Sequence, residues 1–114
     1  DSTELARIGQ LAMATGDTAL AIDSFEKARA IDGPGFKHDL ELGVLYLAAR
    51  RFEDARAALD RVPPSHPAWP MVLFKRAQVS VLLSEPDRAQ RIAAARAAAD
   101  ETTKQLIENE RLFR

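Results

Sequence analysis

DLELGVLYLAARRFEDARAALDRVPPSHP, running from Asp39 to Pro67, reads as two helices joined by a short polar turn and closed by prolines. Leu42 and Tyr46 stand four residues apart with Gly43 beside them, which puts them on one helical face. Phe52, Ala55, Leu59 and Val62 make the matching face of the second helix. Pro63, Pro64 and Pro67 end it, because proline has no amide hydrogen and its ring clashes with the preceding turn.

The same spacing occurs upstream. Leu5, Ile8, Gly9, Ala12, Ala21, Phe25 and Ala28 align with Asp39, Leu42, Gly43, Tyr46, Ala55, Leu59 and Val62, each pair 34 residues apart. Small residues fall where two helices must approach closely, Gly9 and Gly43 in the first helix and Ala21 and Ala55 in the second, and large residues fill the space between. A third unit in the same register puts Leu73, Ala77 and Ala89 at the key positions, with Ser80 and Ala93 where large residues belong. Ser84-Glu85-Pro86-Asp87 reads as an N-cap, a first-turn proline and an acidic N3 residue.

This arrangement resembles the tetratricopeptide repeat, whose pattern runs from an aromatic or Leu through Leu-Gly, an aromatic, Ala, an aromatic or Leu, and Ala to a closing Pro. Leu42-Gly43, Tyr46, Phe52, Ala55, Leu59 and Pro67 match it, with Val62 in place of the last alanine. The upstream unit keeps Leu5, Ile8, Gly9, Gly16, Asp17, Ala21, Phe25 and Ala28, but has Ala12 at the aromatic position and Gly33-Pro34 around the closing proline. The resemblance implies an all-α, right-handed helix-turn-helix repeat solenoid, a TPR-like superhelix. It implies a single domain over 1–114, with units near 2–35, 36–69 and 70–100 and a capping helix over 101–114.

Helices are expected over 2–14, 18–31, 36–49, 52–62, 68–83, 87–99 and 101–112. Gly16-Asp17 supplies a C-cap glycine and an N-cap aspartate, and Gly33-Pro34-Gly35 cannot propagate a helix. The turn Ala49-Arg50-Arg51 has no breaker and follows from register alone. No Gly or Pro lies between Pro86 and Arg114, so the last two helices also read as one long helix.

In the resembled family the first helix of each unit lines a concave groove. Carried over by register, the groove positions are Thr3, Ala6, Gln10 and Met13, then Lys37, Leu40, Val44 and Leu47, then Met71, Phe74, Gln78 and Val81. Gln10, Met13, Leu40, Val44, Leu47, Met71, Phe74 and Gln78 are the candidate peptide-binding residues. The set is mostly apolar, which suits a protein partner presenting an apolar or amphipathic segment. Some members clamp acidic chaperone tails with Lys, Asn and Arg; the matching positions here are Ala6, Gln10, Glu41, Met71 and Lys75. Only Lys75 fits, and Glu41 would repel a carboxylate, so that ligand class is rejected.

Composition narrows the remaining chemistry. With no cysteine, disulfides, thiolate nucleophiles and cysteine-held metals are excluded, and the redox compartment stays open. Sixteen Lys+Arg against seventeen Asp+Glu lack the basic footprint that phosphate backbones select, so nucleic acid is not an expected partner. Arginine outnumbers lysine twelve to four, a bias expected of GC-rich bacterial coding sequence. No stretch approaches the roughly 18 apolar residues of a membrane span, and Asp1-Ser2-Thr3-Glu4 lacks a signal-peptide start.

His38 with Glu41 offers two metal ligands without a third, and a solvated histidine at a helix start is the simpler reading. His66, among prolines, is expected to solvate or cap its turn. No phosphate-binding loop, Ser-His-Asp grouping or metal-binding helix motif is present, so neither catalysis nor a cofactor is expected. Arg50, Arg51, Arg56 and Arg61 are interleaved with Glu53, Asp54 and Asp60, as on a solvated, ion-paired helix face. Trp69, beside Pro67 and Pro70, is expected to staple its loop to a neighbouring helix, with a partner anchor as the competing role.

Two functions follow as expectations: a non-catalytic scaffold for another polypeptide, and a regulatory or oligomerisation appendage of a larger enzyme, suggested by the start at Asp1. A homodimer through the C-terminal third is a further expectation. Met71, Val72, Leu73, Phe74, Val79, Val81, Leu82 and Leu83 exceed what one helix stripe buries, and the alanine-rich helix opposite is too small-faced to cover them. Either the terminal helix folds back over that surface or a second copy covers it.

Overall fold

Left-handed turns end the first helix of each pair in this chain, and side-chain caps open α1, α2 and α7. The computed structural model describes residues 1–114, which form seven α-helices and no strand: α1 (Ser2–Ala14), α2 (Thr18–Asp32), α3 (Asp39–Ala48), α4 (Phe52–Asp60), α5 (Trp69–Leu82), α6 (Arg88–Ala98) and α7 (Glu101–Asn109). Short 3-10 turns cover Gly33–Gly35 and Arg111–Phe113. Asp1 and Asp17 open the first two helices, their carboxylates accepting the amides of Glu4 and Leu20.

The turns within the three helix pairs are built alike. Gly16, Arg50 and Ser84, spaced at the 34-residue repeat, have φ of 82°, 60° and 54°. Their amides donate to the carbonyls of Met13, Leu47 and Val81, and the next amides, of Asp17, Arg51 and Glu85, reach back to Ala12, Tyr46 and Ser80, each at 2.8 Å. These paired bonds satisfy the last carbonyls of each first helix and require a left-handed residue. The turn at Arg50 therefore forms without a glycine. Side chains in this region are strained, so Ser84→Gly is expected to stabilise the chain by about 1 kcal/mol. Urea unfolding checks this, and an unchanged or lowered midpoint would contradict it.

Helices pack in the pairs α1–α2, α3–α4 and α5–α6, with α2 against α3, α4 against α5, and α3 touching α5. The result is a stack measuring 42 × 27 × 26 Å. Close approach within the first two pairs depends on glycine. A Cβ on Gly9 would stand 2.9 Å from the Phe25 ring, and one on Gly43 would stand 2.6 Å from Leu59. Ala21 and Ala55 are wholly buried, and the main core runs through all three pairs from Ala12 to Val79.

The third pair departs from the expected register. Its turn spans 83–87, two residues longer than 49–51, so α6 begins later and its facing positions shift. Ala89 and Ala93 are exposed, while Ala95 is fully buried in one cluster with Ala77. Ser84 is not an N-cap but the left-handed residue that ends α5, and Asp87 takes the N-cap position.

The last two helices are separate. Ala99 is extended, and Asp100 forms a capping box with Thr103: the Thr103 amide donates to Asp100 Oδ1 at 2.9 Å, and the Asp100 amide donates to Thr103 Oγ1 at 2.8 Å. Five helices are shorter than expected, α5 and α6 by one residue at each end. Phe36 is extended before α3, α4 ends at Asp60, and α7 ends at Asn109 rather than 112.

Candidate functional site

The first helices of the three pairs, α1, α3 and α5, carry the positions selected by register. Gln10 is exposed and Met13 half-buried on α1; Leu40, Val44 and Leu47 are half-buried on α3; Met71 and Gln78 are half-buried on α5. Met13, Leu40 and Leu47 rest against the main core, which fixes their position while part of each side chain stays accessible. Where α3 meets α5, Val44, Leu47, Ala48, Lys75, Gln78 and Leu82 surround a mostly apolar depression of about 310 Å³, and Leu112 closes one side of it.

Phe74 does not belong to this accessible set. It is 2% exposed, in a cluster with Ala77, Ala95 and Ile107. Phe113 packs edge-on against it, with ring centroids 5.7 Å apart. The reason is the path of the C-terminus: α7 buries Ile107 in this cluster, and the following turn brings Phe113 back onto α5. This fold-back covers Phe74 from within the chain, while Val81, Leu82 and Leu83 stay half-buried.

Lys75, Leu82 and Leu112 also border the depression and were not among the peptide-binding candidates. By register Lys75 is the one position that fits an acidic-tail clamp. Burial pushes its ammonium below the ordinary lysine value, and the nearby Glu110 carboxylate partly offsets this. At the other end, Thr3, Gln10, Lys37 and His38 line a polar depression between α1 and the 33–38 connection.

Elsewhere the polar groups build structure. His38 packs on Phe25 and Phe36 and bonds Glu41 through Nδ1 at 2.5 Å, so it holds a connection in place and is less solvated than expected. His66 caps its turn, its Nδ1 accepting the Ala68 amide at 2.9 Å. Trp69 is half-buried against the main core. Arg51 and Arg56 pair with Asp54 and Glu53 of α4, and Arg51, Arg56 and Arg61 reach other elements through Glu26, Glu85 and Asp39 respectively. Arg50 lies over the Phe52 ring. The Tyr46 hydroxyl donates to Glu26 at 2.5 Å, and burial together with that bond pushes its ionisation upward.

Sequence reading gave no role to Arg76, which is 5% exposed. Its Nε donates to Asp60 at 2.7 Å, and its two terminal nitrogens donate to the two Glu85 oxygens at 2.6 and 3.2 Å. Arg56 also reaches Glu85, tying α4, α5 and the 83–87 turn together. Arg76 lies 34 residues beyond Leu42, a core position, and a charged residue in an apolar register is the signal that marks it.

No three His, Asp or Glu side chains gather as a metal site, and no helix is long and apolar enough to cross a membrane. Stacked helix pairs with a partly apolar face along their first helices define a helical-repeat protein. The family model described as tetratricopeptide repeat matches residues 12–79, and the chain belongs to that family. Tetratricopeptide repeats mediate protein–protein interaction and are typically non-catalytic scaffolds. No curated protein and no solved structure matches the chain.

Proposed function

We propose that the chain works as one module that catalyses nothing itself and holds an apolar or amphipathic polypeptide segment along α1, α3 and α5. Gln10, Met13, Leu40, Val44, Leu47, Met71 and Gln78 are its contact residues, and Phe74 supports them from below. The observation that carries this reading is the apolar depression between α3 and α5, to which Val44, Leu47 and Gln78 all contribute. Partly exposed apolar side chains held by a rigid core lose little freedom on contact, which favours binding. The neighbouring polar atoms of Gln78 and Lys75 supply orientation. Affinity in the micromolar range, roughly −8 kcal/mol, suits such a surface.

Val44→Asp tests the proposal, because Val44 is half-buried but belongs to neither core cluster. The variant is expected to keep its helical circular dichroism and to lose at least about tenfold in affinity for a bound polypeptide, since the introduced carboxylate must be desolvated in an apolar site. Isothermal titration with a partner that copurifies with the wild-type chain measures this. A folded Val44→Asp protein that binds the same partner unchanged would overturn the groove reading.

A further inference from the structure

The final five residues behave unlike the end of a capping helix. Glu110, Arg111 and Leu112 have no intrinsic reason to leave a helix, yet α7 stops at Asn109 and Glu110 turns extended. Three contacts coincide with that break. The Glu110 carboxylate accepts from Gln78 Nε2 at 2.9 Å, Leu112 borders the depression beside Val44 and Leu47, and Phe113 stacks edge-on against Phe74. A second oxygen of Glu110 accepts the Leu112 amide at 3.0 Å, which fixes the bend.

We propose that Glu110–Arg114 is a ligand of the groove held in cis, and that the partner the groove takes is a peptide with the same side-chain order: a carboxylate followed two and three residues on by leucine and phenylalanine. The inference rests on the groove reading above and deepens it by naming the chemistry of the partner. Charge and shape both support that order. Gln78 on α5 donates to the carboxylate with the Lys75 charge acting on it as well, the leucine lies across the depression from Val44, Leu47 and Leu82, and Phe74 meets the aromatic ring edge-on.

The segment is also weakly tethered. Leu112 remains 36% exposed, and every bond to the segment's backbone is short-range: Glu110 to Ile107, Phe113 to Glu110, Arg114 to Arg111, and the Leu112 amide to the Glu110 side chain. Segments with few buried contacts open at low free-energy cost. A ligand tethered this closely acts at an effective concentration on the order of millimolar, so a partner of similar intrinsic affinity must compete with it.

The test uses the full chain and a fluorescein-labelled synthetic peptide of residues 108–114. Leu112→Ser with Phe113→Ser in the full chain releases the segment, and the peptide is expected to bind this double variant about tenfold more tightly than the wild-type chain. Adding the peptide should return the methyl resonances of Val44, Leu47 and Leu82 in the double variant to their wild-type positions. A peptide with serine in place of its leucine and phenylalanine should bind neither protein. If the double variant melts below the assay temperature, Phe113→Ala is expected to rank the same way, with a ratio of about three.

Equal binding to both proteins, or binding to neither while methyl shifts show the segment released, would overturn the inference. So would a wild-type dimer converted to monomer by the double variant, which would mean that the segment is exchanged between copies. Failure of the groove reading looks different, because there the Val44→Asp protein keeps its copurifying partner. If that variant loses its partner but the peptide result fails, only the cis-ligand inference falls.

Discussion

Arg76→Met is expected to destabilise the chain by about 3 kcal/mol at neutral pH, the usual scale for removing one member of a buried ion pair. Methionine fills the volume of the arginine stem but leaves Glu85 with Arg56 alone and removes the link from α5 to Asp60. Hydrogen bonds from Arg76, and then from Arg56, hold the Glu85 carboxyl below the ordinary carboxylate range against an opposing push from burial. The sign of the pH effect follows. A carboxylate with a depressed folded pKa contributes stability that is present above its unfolded pKa and lost as pH falls through the folded value. The gap between wild type and Arg76→Met should therefore narrow as pH falls below about 4. Urea unfolding at neutral and acid pH measures both quantities; a variant as stable as wild type at neutral pH, or a gap that does not change with acidification, would contradict this account.

The second large effect concerns Gly43. Alanine has the better helix propensity by about 1 kcal/mol, so on local grounds Gly43→Ala should stabilise α3. Packing outweighs that gain. The new Cβ would stand 2.6 Å from Leu59 Cδ2 and 2.7 Å from its Cγ, and Leu59 is buried with no free side to move into. Overpacking of this kind costs typically 1–3 kcal/mol, and a net loss of about 2 kcal/mol is expected. Leu59→Ala alone should also destabilise, by about 3 kcal/mol through cavity formation. Together the two changes should cost clearly less than their sum, because each creates the space or the volume the other lacks. The third pair already uses this solution, with Ala77 and Ala95 in one buried cluster. Additive losses in denaturant unfolding would show that the two sites do not share a contact.

These two sites also show what the sequence discloses. Gly43 is legible because the same small residue recurs at Gly9 against another large partner, Phe25, and close packing ties residue volume to register. Arg76 was passed over because its partners lie in other elements, Asp60 in α4 and Glu85 in the following turn. The second half of the third pair was misread for a different reason. Two additional residues in its turn cost little in closure entropy, but they rotate every later position of α6 away from the 34-residue register. The path of Glu110–Arg114 was hidden as well, since those residues suit a helix and only contacts with α5 end it. Of the candidate residues, Gln10, Met13, Leu40, Val44 and Leu47 keep accessible surface on α1 and α3, while Phe74 is buried beneath a segment whose course is set by tertiary packing.

The central claim, that the face built by α1, α3 and α5 is where another polypeptide is held, is tested most directly by site-specific photo-crosslinking. Benzoylphenylalanine is placed at exposed Gln10 or half-buried Val44, and in control proteins at exposed Ala30 of α2 or Ala57 of α4. The account predicts intermolecular adducts from positions 10 and 44, mapped by mass spectrometry to one continuous segment of a partner, and none from positions 30 and 57. Adducts to a partner from positions 30 and 57 with none from 10 and 44 would place the binding surface on the second helices and contradict it.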